Sequence, residues 1–215
     1  MGRAKVAIVW GSGAGGTFTI SIAAASEGAA GACMPIGEFG TKKVFWCFKG
    51  NLKEHNATFT AIRDALQAAM TEDPHTMEQY LSTDRQKVFI HIDDDLAGSI
   101  SGCSLGLGVF AAALCVPPEH YVFTGWTSVG WGPKVRPTTE PIDKFPVKAA
   151  YCLSAGLTLV APLENVMQEP HLVDQWKQQG VLFFHPPELP PVRACIIAVE
   201  DIKDMMRLIE LFRRK

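Results

Sequence analysis

Residues 102–118 have the sequence GCSLGLGVFAAALCVPP, which is the most informative stretch for predicting the fold. Its apolar run, from Leu105 to Val116, is too short to cross a bilayer, and residues 104–116 are typical of a buried helix. Pro117 and Pro118 end the run, because proline lacks the backbone N–H that a helix needs. The sequence therefore predicts a buried helix with Ser104 at its N-terminal end.

Strand and helix patterns interleave irregularly on both sides of this helix. Asp201 is the expected N-cap of the last helix, and Gly156 the expected C-cap of the one before it. The irregular alternation predicts an α+β fold in which residues 1–215 form one domain. Strands are expected at 4–10, 17–23, 44–49, 87–92, 120–124 and 157–161, further helices at 55–70, 144–154 and 200–213, a loop at 126–141, and an extended segment at 186–191.

Charge and cysteine content narrow the class of protein. The net charge is −2, from 20 basic and 22 acidic side chains, so nothing favours nucleic acid or an anionic membrane as partner. The first apolar run, residues 6–10, is too short for a signal sequence or a membrane span. The 6 cysteines form no C-x-x-C pair and lie mostly in apolar runs, which is typical of free thiols. We therefore expect a cytoplasmic protein in a reducing, intracellular compartment.

A glycine-rich segment at residues 11–16, GSGAGG, satisfies G-x-G-x-x-G after a predicted strand. A dinucleotide-binding site needs a helix next, whose N-terminus holds the pyrophosphate. Residues 17–22, TFTISI, instead alternate as a strand. No P-loop sequence occurs. We expect a hairpin turn here, and neither a cofactor nor a metal.

Ser104 and Lys148 are the candidate catalytic residues. Glycines flank Ser104 at 102 and 106, and free N–H groups at a helix N-terminus favour a developing oxyanion. A serine nucleophile needs a base, and the 6 histidines show no recognisable pattern. A lysine serves when it is desolvated enough to be neutral, and Lys148 lies in the apolar segment 146–151. Two alternatives stay open at this point, namely that the serine only caps the helix and that the lysine reaches out to water.

The order and spacing of these segments resemble the proteolytic domain of Lon proteases, over residues 6–213 or so. Ser104 and Lys148 are 44 residues apart, close to the spacing in that family. The resemblance implies that Ser104 is the nucleophile and Lys148 the general base. It also implies that Thr124 holds the lysine amine and that the N–H groups of Ser104 and Cys103 form the oxyanion hole. The segments that carry it are 102–106, Thr124 with Gly125, and Ala155 with Gly156, together with 15–28, 53–70, 88–92, 154–165 and 196–209.

The implied activity is that of an ATP-independent serine endopeptidase, since no ATPase motif is present. The chain is also similar to the serine–lysine proteases that process birnavirus polyproteins, which likewise lack an ATPase. We therefore expect a polypeptide substrate, either flexible or unfolded chains or, in a virus-infected cell, viral polyprotein junctions. Homo-oligomers are compatible with the resemblance.

Several residues depart from the Lon pattern. Cys103 and Leu105 replace the usual proline and small residue around the serine, and Trp126 replaces a glutamate. The loop at residues 142–146 is remodelled, which makes Lys144 a rival base. Lys148 is preferred because it keeps the distance to Gly156 and has more apolar neighbours.

Two other functions remain open on the sequence alone. One is a cysteine enzyme that uses Cys103, which would be sensitive to thiol alkylation. The other is a catalytically silent module that binds peptides or proteins on a protease-like fold. A lysine that points away from Ser104, or a blocked cleft, would favour this binding module.

Overall fold

The computed structural model describes residues 2–24, 33–39, 42–49, 56–80, 87–92, 102–128, 134–136, 144–186 and 194–214. Helices and strands are mixed along the chain, which confirms the predicted α+β class. The strands are β1 (Gly2–Val9), β2 (Gly15–Ala24), β3 (Cys33–Phe39), β4 (Lys42–Lys49), β5 (Lys87–Ile92), β6 (Tyr121–Phe123), β7 (Trp126–Ser128), β8 (Lys134–Arg136), β9 (Thr158–Pro162), β10 (Phe183–Phe184) and β11 (Ile196–Val199). The helices are α1 (Asn56–Glu72), α2 (Pro74–Tyr80), α3 (Gly106–Leu114), α4 (Lys144–Ser154), α5 (Leu163–Met167), α6 (Pro170–Gln178) and α7 (Ile202–Arg213).

A mixed sheet of nine strands runs through the described part of the chain, in the order β10-β11-β9-β6-β1-β2-β5-β4-β3. β1 lies in its middle, antiparallel to β2 and parallel to β6. β6 is in turn parallel to β9. Because β6 pairs with a strand on each side, the residues that directly follow it have a fixed position relative to the sheet. The prediction of one domain over 1–215 stays a prediction, which this continuous sheet supports.

Helix α3 is the buried helix that the sequence predicts, and all of its residues are buried. It packs against β1 and α1. A Cβ added to Gly108 would lie 2.3 Å from Val6 Cγ2, so a glycine is needed for the helix to approach the sheet this closely. The packing fixes the position of α3, and with it the turn that precedes its first residue.

Most expected elements are confirmed, with ends within two residues of the prediction. Asp201 caps α7, since its side chain accepts from the Asp204 N–H, and Gly156 follows α4 with a φ of +69°. The predicted loop at 126–141 is wrong where the short strands β7 and β8 pair. Residues 187–191 of the predicted extended segment lie outside the described residues.

The far end of α3 is fixed by the C-terminal helix. Arg213 donates from Nε and Nη2 to the carbonyl of Leu114, at 3.1 and 2.7 Å. Its Nη1 lies 2.7 Å from an oxygen of Asp73. Burial raises the pKa of Asp73, but hydrogen bonds from Thr76 and the Arg213 guanidinium outweigh it and lower the pKa overall. A cation at a helix C-terminus is stabilising, so Arg213 anchors α7 to α3 and α2.

None of the helices in the described ranges is long and apolar enough to cross a membrane.

Candidate active site

Ser104 lies in the turn that leads into α3 and is 6% exposed. The helix N-cap is Leu105, with no side-chain hydrogen bond at the cap and no acidic residue in the first turn. The interpretation of Ser104 as a helix cap is therefore wrong. In the part of the chain that the structure describes, its N–H and its hydroxyl donate to no acceptor. The serine and the positive end of the helix dipole are both available to a developing negative charge.

The backbone carbonyls of this turn are held by their neighbours. The carbonyl of Gly102 accepts from Thr58 Oγ1 at 2.9 Å, and that of Cys103 accepts from the Gly106 N–H at 3.2 Å. The carbonyl of Ser104 accepts from the Gly125 N–H at 2.8 Å. Gly102 has a φ of +100°, which only glycine adopts readily. Three successive carbonyls are thus fixed, and with them the path of the nucleophile turn.

Thr124 and Gly125 join this turn to the sheet. The Thr124 N–H donates to the carbonyl of Val160 in β9, while the Leu107 N–H donates to the carbonyl of Gly125. Gly125 has a φ of +135°, and an added Cβ would lie 2.7 Å from Pro162. Since Gly125 donates to Ser104 in the turn and accepts from Leu107 in α3, Thr124 lies one residue from a direct contact with the serine turn. The predicted neighbours Ser104 and Thr124 are therefore brought together.

Lys148 is among the largest fully buried side chains in the described residues and is 2% exposed. It lies on the face of α4 that also buries Phe145, Ala149 and Cys152. Its Nζ donates to Thr124 Oγ1 at 3.5 Å, the contact that the Lon resemblance implies. The alternative of a lysine that reaches water is therefore wrong. Burial withdraws the amine from water, which is a condition for a lysine to act as a base.

Ser104 Oγ and Lys148 Nζ form no hydrogen bond within the described residues. The connection between them runs through Thr124 and Gly125. Hydrogen bonds between catalytic groups are often long before substrate binds. The missing hydrogen bond between the serine and the lysine is therefore compatible with a catalytic pair. The rival base, Lys144, is the first residue of α4 and is only partly buried.

Cys103 and Cys152 are the thiols nearest to these residues in the chain, and both are buried and form no disulfide. Burial raises the pKa of Cys152 to about 12, and Lys148 lowers it only in part. The Cys152 thiol is thus held in its neutral, unreactive form, one helical turn from Lys148. Cys103 lies in the serine turn directly before Ser104, and its role as an oxyanion donor stays a prediction.

The glycine-rich segment 11–16 forms the turn of a hairpin, as predicted, and β2 follows it. The Trp10 N–H donates to the carbonyl of Ala14 at 2.8 Å and closes the turn. A Cβ on Gly15 would lie 2.6 Å from Tyr151 Cβ, so the hairpin packs directly on α4. The glycines thus serve close packing near the lysine helix.

The histidines that the structure describes with side chains are placed variously. His75 and His171 are exposed, and His185 Nε2 lies 3.4 Å from Asp204 while its Nδ1 lies 2.8 Å from the carbonyl of Ala198. Across the described ranges, no three or more His, Cys, Asp or Glu side chains are grouped as metal ligands.

One residue of the site, Thr58, was missed by the sequence reasoning. It is the third residue of α1 and is 44 positions from the glycine that it contacts. A threonine in the first turn of a helix is expected to serve that helix, so the sequence gave no signal of this contact.

The comparisons with known proteins return no matching family model and no matching curated sequence.

Proposed function

We propose that this chain is a serine endopeptidase of the Lon type, with Ser104 as nucleophile and Lys148 as general base. The observation that carries the proposal is the hydrogen bond from the buried Lys148 amine to the Thr124 hydroxyl. The residue that follows Thr124 donates its backbone N–H to the carbonyl of Ser104. A buried amine beside an uncapped helix N-terminus supplies a base and an anion site together. The spacing along the chain supports the same pair.

The reaction begins with transfer of the Ser104 hydroxyl proton to the neutral Lys148 amine. Ser104 Oγ then bonds to the carbonyl carbon of a peptide, and the carbonyl π electrons move to its oxygen. The N–H groups of Ser104 and Cys103, with the N-terminus of α3, stabilise this oxyanion. Thr124 holds the lysine amine in place through its hydroxyl.

The tetrahedral intermediate collapses when the C–N bond breaks. The protonated Lys148 gives its proton to the leaving amine and becomes neutral again. Water, deprotonated by Lys148, then attacks the acyl-enzyme, and Ser104 leaves with the proton. The cycle balances with one water consumed per peptide bond and needs no ATP, cofactor or metal.

The proposed substrates are flexible or unfolded polypeptides, including polyprotein junctions. The sequence has no ATPase motif with which to unfold a folded protein, so accessible segments are the targets that the chain could engage alone. The Lon-like fold itself is part of this proposal.

The test is cleavage of unfolded casein and a peptide library by wild type, Ser104→Ala and Lys148→Ala, without ATP. We expect cleavage by wild type alone, with the library giving the sequence preference. Activity retained in Ser104→Ala would refute the nucleophile. Activity retained in Lys148→Ala would shift the base to Lys144.

The second candidate is the silent binding module, favoured by the missing Ser104–Lys148 hydrogen bond. It predicts that all three proteins are inactive, while wild type and Ser104→Ala bind the same peptides equally. Peptide-array binding by both proteins distinguishes the two functions.

A further inference from the structure

We propose that Thr58 is a positioning residue for the oxyanion site. The inference rests on the proposed function and extends it to a residue on another helix. Thr58 is 1% exposed, and its hydroxyl donates to the carbonyl of Gly102 at 2.9 Å, two residues before the nucleophile. No other side chain in the described residues is seen to hold the backbone of this turn.

The hydrogen bond fixes the orientation of one peptide plane. In a trans peptide the C=O and the following N–H point in opposite directions. Because Thr58 holds the Gly102 carbonyl on the side of α1, the N–H of Cys103 is directed to the other side of the chain. That N–H is one of the two donors that the proposed mechanism assigns to the oxyanion.

Gly102 makes such an anchor necessary. At a φ of +100°, glycine lacks the Cβ that would restrict the rotation of its neighbouring peptide planes. The next two carbonyls are held by backbone N–H groups of Gly106 and Gly125, but the Gly102 carbonyl is held by a side chain. The Thr58 hydroxyl therefore fixes the Gly102 carbonyl, and with it the peptide plane that carries the Cys103 N–H.

Helix α1 provides a rigid base for that hydroxyl. It packs against α3 and β7, and the residues around Thr58 on its inner face, Ala61, Ile62 and Ala65, are almost completely buried. A side chain held this firmly restrains the carbonyl that it contacts without motion of its own. Thr58 thus acts on the reaction through Cys103 and touches no substrate.

The test is a graded series at Thr58, with donors of decreasing strength: Thr58→Ser, Thr58→Cys and Thr58→Val. Valine has the shape of threonine without the hydroxyl, and a thiol is a weak donor. The control is Thr158→Val, which removes a fully buried hydroxyl from β9 that lies 3.4 Å from Cys195 Sγ, away from the turn. Peptide cleavage, inhibition by a peptide boronate and urea unfolding are measured for each.

We expect kcat of Thr58→Val to fall by about tenfold to hundredfold, less than for loss of a whole oxyanion donor, with KM within about threefold. The boronate, which mimics the tetrahedral intermediate, should weaken by a similar factor. Thr58→Ser should restore kcat to within about threefold, and Thr58→Cys should lie between them. Thr158→Val should match wild type in kcat. If the valine variant fails to fold, the difference between the serine and cysteine variants decides.

An active wild type with unchanged kcat in Thr58→Val, or a serine variant as impaired as the valine variant, would overturn this inference alone. A kcat loss equal in Thr158→Val would show a general effect of destabilisation and would overturn it too. A wild type with no cleavage of any peptide would overturn the proposed function, and this inference with it.

Discussion

The two ends of α3 differ in the side chains that contact them. At its C-terminal end, Arg213 donates twice to the carbonyl of Leu114 and pairs with Asp73. At its N-terminal end no side chain caps the helix, no acidic residue lies in the first turn, and Ser104 lies just before it. About 13 Å of one buried helix separates the two ends.

Under the proposed function, this difference separates an end of α3 that serves stability from an end that serves the reaction. A helix C-terminus that serves only stability is stabilised by a positive charge that complements the helix dipole. Arg213 supplies that charge here. Within the described residues, no acidic side chain lies in the first turn at the N-terminal end, and the carbonyls of the preceding turn are held by Thr58, Gly106 and Gly125. Changes at the N-terminal end should therefore alter turnover, and changes at the C-terminal end should alter stability alone.

Lys148→Met should cause the largest loss of turnover among these variants. Turnover should fall by about 10³-fold, because the proton acceptor is lost while the volume is kept. Stability to urea should change by less than about 2 kcal/mol, since methionine keeps the volume and removes a buried polar amine at the cost of its hydrogen bond to Thr124. The matched control is Lys144→Met, at the partly buried start of the same helix, which should keep its turnover. Similar losses in both variants would contradict the assignment of the base.

Gly125→Ala should disrupt the packing and the hydrogen bonds that connect the sheet to the N-terminal end of α3. With a φ of +135° and an added Cβ 2.7 Å from Pro162, the variant should lose about 3 kcal/mol of unfolding free energy. Gly156→Ala is the control, because it also has positive φ but nothing within 4 Å, and it should lose about 1 kcal/mol. Equal losses in urea unfolding would show that packing at Gly125 does not matter.

Arg213→Met tests the C-terminal end. The variant should lose about 1 kcal/mol of unfolding free energy at neutral pH, with turnover within about twofold of wild type. The lowered pKa of Asp73 stabilises the fold above the ordinary aspartate value of 3.8, and this contribution is lost as the pH falls through the lowered value. The difference in stability between wild type and variant should thus shrink in acid. A difference that grew in acid, or a large loss of turnover, would contradict the account.

The thiols at the two ends should give the smallest effects. Burial raises the pKa of Cys115, which follows α3, to about 12, so iodoacetamide should label it only slowly in the native protein at about pH 8. Cys115→Ala and Cys103→Ala should each keep turnover within about threefold, since neither thiol takes part in the proposed reaction. Loss of turnover in Cys103→Ala alone would instead support the cysteine-enzyme alternative.

Long periodic segments could be predicted from the sequence, because their apolar faces repeat over several turns or strand residues. α1, α3, α4 and α7 are of this kind. β3 could not, since Pro35 and Gly37 interrupt it where its register shifts, and the three-residue strands β7 and β8 are too short to show a pattern. Such segments are defined by pairing with distant parts of the chain.

The candidate site divides in the same way. Ser104 and Lys148 became candidates through the helix start and the apolar segment that contain them, and the resemblance to Lon proteases supplied their pairing and Thr124. The contact of Thr58 with Gly102 could not be foreseen, because it depends on how α1 packs beside a turn 44 residues away. Tertiary packing likewise decided that Leu105, and not Ser104, is the N-cap of α3.

The most direct test of the account is to trap the acyl-enzyme. Wild type is mixed with an activated peptide ester, quenched in acid within seconds, and mapped by mass spectrometry. The account predicts one acyl group, on Ser104, that is absent from Ser104→Ala and strongly reduced in Lys148→Met. An acyl group on Cys103, or hydrolysis of the ester by wild type without any modification of Ser104, would contradict the claim that the N-terminal end of α3 is a catalytic centre.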